Sequence, residues 1–176
     1  MSNSALVKHT NISPYKTSPR NNTIQKVTIH HMAGNLSIES CGVVFQSSNS
    51  SANYGVGTDG RIGMYVEETD RSWASSSPSN DHQAVTIEVA NSSSTDSNWP
   101  VSDTAYNATI DLTVDICWRN GISSLSWTGD SSGTLTIHKF FAATTCPGPY
   151  LEARMSAIAS SVNSRLATCN SIYADV

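Results

Sequence analysis

The chain has no apolar run approaching the roughly 18 residues that a membrane-crossing helix needs, so no helical membrane span is expected and no membrane partner. Its opening segment, MSNSALVKHTNISPYKTSPRNN, also holds no apolar stretch of the kind at the centre of a secretory signal, so nothing there marks it for ordinary export. Charge is scarce. Lys and Arg number 10 against 14 Asp and Glu, and no Lys/Arg cluster occurs. A net charge of -4 and a pI near 5.6 argue against nucleic acid as the main partner, because phosphate contacts need a basic surface. Cysteine is sparse too: Cys41, Cys117, Cys146 and Cys169 lack the dense spacing of a disulfide framework. There is no glycine fingerprint for nucleotides, no internal repeat, and no serine-rich stretch long enough for an interdomain linker.

What is present fits one domain. With 176 residues, 38% of them hydrophobic, the chain is long enough to bury a real core. Its polarity comes mostly from Ser, Thr and Asn, which suits work outside the cytoplasm. Residues 1–25 are polar and irregular, with Pro14 and Pro19, and are expected to lie over the domain as an arm. Lys26–His30 alternates and predicts a strand. Ser37 is placed to cap a helix with Ile38, Cys41, Val44 and Phe45 on one face. Tyr54–Val56 and Arg61–Val66 flank Asp59-Gly60 and predict a hairpin. Ala84–Val89 is a further strand, Asp103 caps a helix reaching Arg119, and Leu135–His138 is a short strand. A last helix starts near Pro149 and turns Leu151, Met155, Ile158, Val162 and Leu166 inward. These elements predict a single α/β domain with a mixed central sheet and helices on its faces.

Three residues point to metal chemistry. His30 and His138 each end a predicted strand, and Cys146 lies in a loop feeding a helix. Two imidazoles and a thiolate form a three-ligand zinc set that leaves a fourth position for water, the arrangement of a hydrolytic site. The helix start after Cys146 is expected to favour its thiolate. Taken singly, a strand histidine or a lone cysteine is more often a core residue, and the spacing alone leaves both readings open. His31 falls on the Val27/Ile29 side of its strand and reads as a packing residue. Glu88, a carboxylate within TIEVA, is either a general acid/base with a raised pKa or a strand residue facing solvent. Tyr54, beside Gly55, is either a hydrogen-bond donor to a developing oxyanion or a half-buried strand tyrosine.

Together these residues resemble the zinc-dependent N-acetylmuramoyl-L-alanine amidases, the fold shared by phage endolysins, bacterial wall amidases and peptidoglycan recognition proteins. The likeness runs from about residue 26 to 166. IHHMAG is similar to the family's first ligand motif, with His30 at the metal position, and HKFFAATTCPG to the last, with His138 and Cys146. NYGVGTDGRIGMYV resembles the tyrosine strand and its Asp-Gly hairpin, which puts Tyr54 in the catalytic tyrosine's place. VTIEVAN resembles the strand that presents a catalytic glutamate, here Glu88, and RSWAS, with Trp73, the segment edging the substrate groove. Some endolysins carry a lysine two residues before the cysteine; here Thr144 stands there, as in recognition proteins that still cleave, and brings no charge.

The resemblance implies a Zn2+ hydrolase that cuts the amide between N-acetylmuramic acid and L-alanine in bacterial peptidoglycan. Residues 26–168 would be the catalytic domain and 169–176 a C-terminal tail. It further implies the catalytic domain of a phage or prophage endolysin, made in the host cytoplasm without a signal peptide and released at lysis to act on the cell wall. No wall-binding domain is evident in the sequence. The rivals are a non-catalytic peptidoglycan-binding module, a cysteine peptidase using Cys146 and His138, and a structural zinc site. Oligomeric state is not legible.

Overall fold

Strands that alternate Val/Thr/Ile/His have one face suited to an apolar core and one that must find hydrogen bonds wherever it is buried. The fold meets both demands. The computed structural model describes residues 2–174. Its strands are β1 (Val7–Thr10), β2 (Lys16–Thr17), β3 (Lys26–His31), β4 (Tyr54–Val56), β5 (Ile62–Met64), β6 (Arg71–Ser72), β7 (Ala84–Val89) and β8 (Leu135–Ile137). Its helices are α1 (Ile38–Val44), α2 (Pro78–Gln83), α3 (Asp103–Arg119), α4 (Pro149–Glu152) and α5 (Met155–Ala174). Six strands form a mixed sheet in the order β1-β5-β4-β7-β3-β8, and β2 pairs with β6 as a separate ribbon. Within the large sheet only β4 and β5 run antiparallel. They are joined by the expected Asp59-Gly60 hairpin, where Gly60 takes φ +80°, a conformation open to glycine at little cost.

The register sorts the side chains. Ile29 aligns with Ile87 and Ile137, and Tyr54 with Ile87, so all four share one face. That face packs with Leu112 and Ile116 of α3 and Ile158 and Val162 of α5 into the main core. Full burial of each of these aliphatic side chains is worth about 1.5–3 kcal/mol. The opposite face carries Thr28, Thr86 and Thr136, all fully buried. Their hydroxyls satisfy one another and their neighbours: Thr28 Oγ1 lies 2.9 Å from Thr136 Oγ1, Asn80 Nδ2 donates to Thr28 over 3.0 Å, and Ser72 Oγ lies 2.7 Å from Thr86 Oγ1. On this second face the alternation ends in His30 on β3 and Glu88 on β7, which are register partners.

Several expectations change. The N-terminal segment is not wholly irregular, since β1 adds an edge strand to the sheet beside β5, and β2 forms the ribbon with β6. Ser102, not Asp103, caps α3, accepting from Ala105 N. The last helix is interrupted after Glu152, leaving α4 with a single turn, and α5 runs on through residue 174, so the segment expected as a tail from 169 is helical to that point. Ser37 does cap α1, accepting from Ser40 N, but Val44 is 47% exposed and lies off the apolar face assigned to it.

Candidate active site

Parallel strands deliver their C-terminal ends to one edge of a sheet, where loops leave a crevice. β3 ends at His30 and His31, β7 at Glu88 and Val89, and β8 passes directly into a 3-10 turn that begins with His138. The loop after that turn returns Cys146 to the same edge: Lys139 N donates to Cys146 O over 3.0 Å, and His31 N points at Cys146 Sγ over 3.4 Å. One ligand atom each from His30, His138 and Cys146 falls within 4.8 Å of the other two. The imidazoles of His30 and His138 lie tilted, 4.6 Å between centroids.

The residues fit a metal ion. His30 Nε2 and His138 Nε2 are buried and have no hydrogen-bond partner in the protein. An orphaned buried nitrogen costs free energy that a coordinated cation would offset. Burial pushes His30 well below the usual imidazole range, with His138 and His31 adding to the shift. Burial also lowers His138, with Asp81 pulling the other way. Both rings are therefore neutral, the form that ligates. The Cys146 thiol is pushed up by burial and by the nearby Glu88, against a small opposing effect of the His31 amide. The expected help from a helix start is slight, because α4 has only four residues. A thiolate there needs a cation beside it.

Glu88 sits 3.9 Å from His30, Oε1 to Nδ1, with its side chain 15% exposed. Desolvation alone drives its carboxyl up to about 8. Its Oε2 is buried without a partner. Of the two readings of Glu88, solvated strand residue or perturbed acid, the geometry matches the second.

These residues open onto a cleft of about 540 Å³. Glu88, His138, Thr144 and Cys146 line it together with Trp73, Arg71, Asn49 and Ser50. Thr144 Oγ1 accepts from Cys146 N over 3.2 Å, which leaves its own O–H free to donate. The Trp73 indole is fixed by a hydrogen bond from Nε1 to Thr17 Oγ1, 2.9 Å, and by the Tyr15 ring with centroids 6.0 Å apart.

Tyr54 does not belong to this site. It shares the face of Ile87, not that of Glu88, and is fully buried. Its hydroxyl donates to Glu68 Oε1 over 2.7 Å and accepts from Ser4 N over 3.0 Å. The tyrosine is committed to a buried network with Glu68 and Arg119 on the α3 side of the sheet. Alternation along a three-residue strand places it there, one residue out of phase with the cleft face.

His31 does more than the sequence reading gave it. Sequence alternation made it a packing residue, and it is buried with its ring edge-on to Trp99, but it also lines the cleft. Asn91 Oδ1 already accepts from Gly34 N at 3.2 Å, while Asn91 Nδ2 donates to Trp99 O at 3.0 Å. The amide orientation is thus set, and His31 Nδ1, 3.1 Å from Oδ1, must carry the proton. Asn91 and Arg71 went unnoticed in the sequence. Nothing in a lone Asn after a strand, or an Arg before a Trp, distinguishes them from surface residues.

Comparison with known proteins gives the family and the fold. A family model described as N-acetylmuramoyl-L-alanine amidase matches residues 20–149. No curated protein sequence matches the chain. Among solved structures, a mutant of PlyL aligns with TM-score 0.68 at 14% identity, over 89% of this chain and 98% of that one. AmpD aligns with TM-score 0.66 at 17% identity, over 88% and 95%. The N-acetylmuramoyl-L-alanine amidase LysC from Clostridium intestinale URNW aligns with TM-score 0.61 at 18% identity, over 86% and 94%. At these identities the structural matches speak for the fold.

Proposed function

The chain belongs to the N-acetylmuramoyl-L-alanine amidase family, and from that premise we propose that it hydrolyses the amide joining the lactyl group of N-acetylmuramic acid to L-alanine in bacterial peptidoglycan. The observation that carries this reading is the convergence of His30, His138 and Cys146 beside Glu88 at the cleft.

His30, His138 and Cys146 would hold a zinc ion, which when bound supplies Lewis acidity toward the scissile carbonyl and makes water a better nucleophile near neutral pH. The protein's own groups do the rest. The Glu88 carboxylate takes a proton from the attacking water and returns it to the departing L-alanine nitrogen. A carboxyl whose pKa is brought up from the ordinary acid range toward the working pH serves both transfers, since its ionised form accepts the proton and its acid form gives it up. The Thr144 hydroxyl donates to the developing oxyanion. Trp73 forms a wall of the groove that holds the sugar or the stem peptide. With Tyr54 on the far face, the oxyanion role assigned to it passes to Thr144 alone among the residues the sequence singled out.

A cysteine peptidase fits less well. It needs a thiolate–imidazolium pair, whereas burial here drives the thiol up and both imidazoles down, and it leaves His30 without a task. Placement as a phage or prophage endolysin domain, acting on the wall after release from the host cytoplasm, is supported by the resemblance of the motifs.

The test is digestion of purified bacterial cell wall with and without a zinc chelator, followed by labelling of new amino groups. New N-terminal L-alanine, lost on chelation and restored by zinc, is the expected result. New reducing ends or other amino termini would assign a different bond, and bound but uncut wall would make the chain a recognition module.

A further inference from the structure

The six arginines differ sharply in their partners. Arg61, Arg119 and Arg165 pair with carboxylates. Arg20 is caged by the carbonyls of Glu68, Asp70, His82 and Ala84, and Arg154 donates to Tyr150 O while lying over its ring. Arg71 has neither kind of partner. It donates only from Nη2 to the Thr17 hydroxyl, at 2.7 Å, and its Nε is buried without any acceptor. It is also the one Lys or Arg lining the cleft among the described residues.

Its position is built rather than incidental. Arg71 pairs with Thr17 across the β2–β6 ribbon, and the same Thr17 hydroxyl accepts from Trp73 Nε1. Asp70, its neighbour in sequence, pairs with Lys16 at 2.6 Å, and Asp81, which lines the cleft, is already satisfied by Ala74 N, Ser75 N and the Ser75 hydroxyl. A guanidinium with open donors in a partly desolvated cleft favours a planar anion, a carboxylate above others.

Peptidoglycan offers such a group close to the cut. The stem residue after L-alanine is a glutamate linked through its side chain, so its α-carboxylate stays free unless amidated. One residue of extended chain spans about 3.3–3.6 Å, so this carboxylate lies within the same cleft when the scissile amide faces His30, His138 and Cys146. We propose that Arg71 binds the free α-carboxylate of the second stem residue and makes the enzyme selective for the unamidated stem. This rests on the amidase reading and refines it.

The experiment compares two synthetic muramyl peptides, one with glutamate and one with isoglutamine at the second stem position, cleaved by the whole chain with zinc supplied. The glutamate form should be favoured about tenfold or more in kcat/KM, as for one charge-assisted hydrogen bond. The difference should lie in KM. Arg71→Gln should erase the preference, making kcat/KM equal for the two peptides, and Arg71→Lys should restore part of it. Equal cleavage of both peptides by the wild type, or a preference that survives Arg71→Gln, would overturn the Arg71 assignment and leave the amidase reading intact. Cleavage of neither peptide, with wall digestion also failing, would overturn both.

Discussion

Gly55 stands opposite Glu88 in the β4–β7 ladder, and the space a side chain at Gly55 would need is filled by the Tyr65 ring. A Cβ at Gly55 would meet Tyr65 Cε2 and Oη at 2.7 Å. Tyr65 is itself held, donating to Ile38 O over 2.7 Å and packing edge-on to Phe45. The bare backbone at Gly55 thus lets an aromatic ring come down on the sheet at the register position of Glu88.

Gly55→Ala is therefore expected to destabilise the fold by about 1–3 kcal/mol, as for overpacking of a filled core. Chemical denaturation measures it. A neutral result would mean that Tyr65 yields without cost and that this contact is loose.

Tyr54→Phe should separate structure from catalysis. Removing the hydroxyl strips Glu68 of a donor and Ser4 N of an acceptor, at a cost of about 1–3 kcal/mol in stability. The turnover number on cell wall should stay within about twofold of wild type at a temperature where both are folded, since a group that never meets the transition state leaves the barrier alone. A large fall in kcat without unfolding would return Tyr54 to the mechanism.

Glu88→Ala should abolish cleavage while zinc still binds, as read by activity and by metal content after dialysis. Retained activity would remove Glu88 from the proton transfers.

In the metal-free protein the contribution of Glu88 to stability should fall as pH rises, while the lowered imidazoles of His30, His31 and His138 act the other way below about 6.5. Glu88 has its carboxyl raised to about 8 in the fold, so the folded chain binds a proton more tightly than the unfolded one. Its contribution is fully present below the ordinary carboxyl pKa of about 4.5 and is lost as pH climbs through about 8. Denaturation midpoints of chelated protein from pH 5 to 9 measure the slope, and Glu88→Gln should flatten it. An unchanged slope in that variant would place the titration elsewhere.

Zinc should stabilise the wild-type chain and not Cys146→Ser. A ligand at about 100 times its dissociation constant adds about 2.7 kcal/mol to the native state. Melting curves with chelator and with added zinc give the shift; equal shifts in the two proteins would show that the ion binds away from Cys146.

Much of this was legible in the chain. The alternation of β3 and β7, the Asp59-Gly60 hairpin and the Ser37 cap are local patterns, set by side-chain spacing and turn chemistry within a few residues. The ligand types His30, His138 and Cys146 and the out-of-place carboxylate Glu88 stood out because each is chemically unusual in its segment. Local pattern also misled. His31 lies beside His30, and Tyr54 beside Gly55, the register partner of Glu88; only the sheet register sends Tyr54 to the far core, and only the fold brings His31 to the cleft edge.

Local pattern was enough for β3, the β4–β5 hairpin, β7, β8, α1 and α3, for the residue types able to bind a metal and move a proton, and for the family, but not for β1, β2, β6 or α2. Tertiary structure alone decided which of those residues meet. It brought Cys146 back to His31 across 115 positions, desolvated Glu88 at the edge of the cleft, and left Arg71 facing the cleft without a carboxylate. The reason is physical. Capping and alternation act over a few residues, but desolvation and ligand convergence depend on neighbours that only the closed fold supplies.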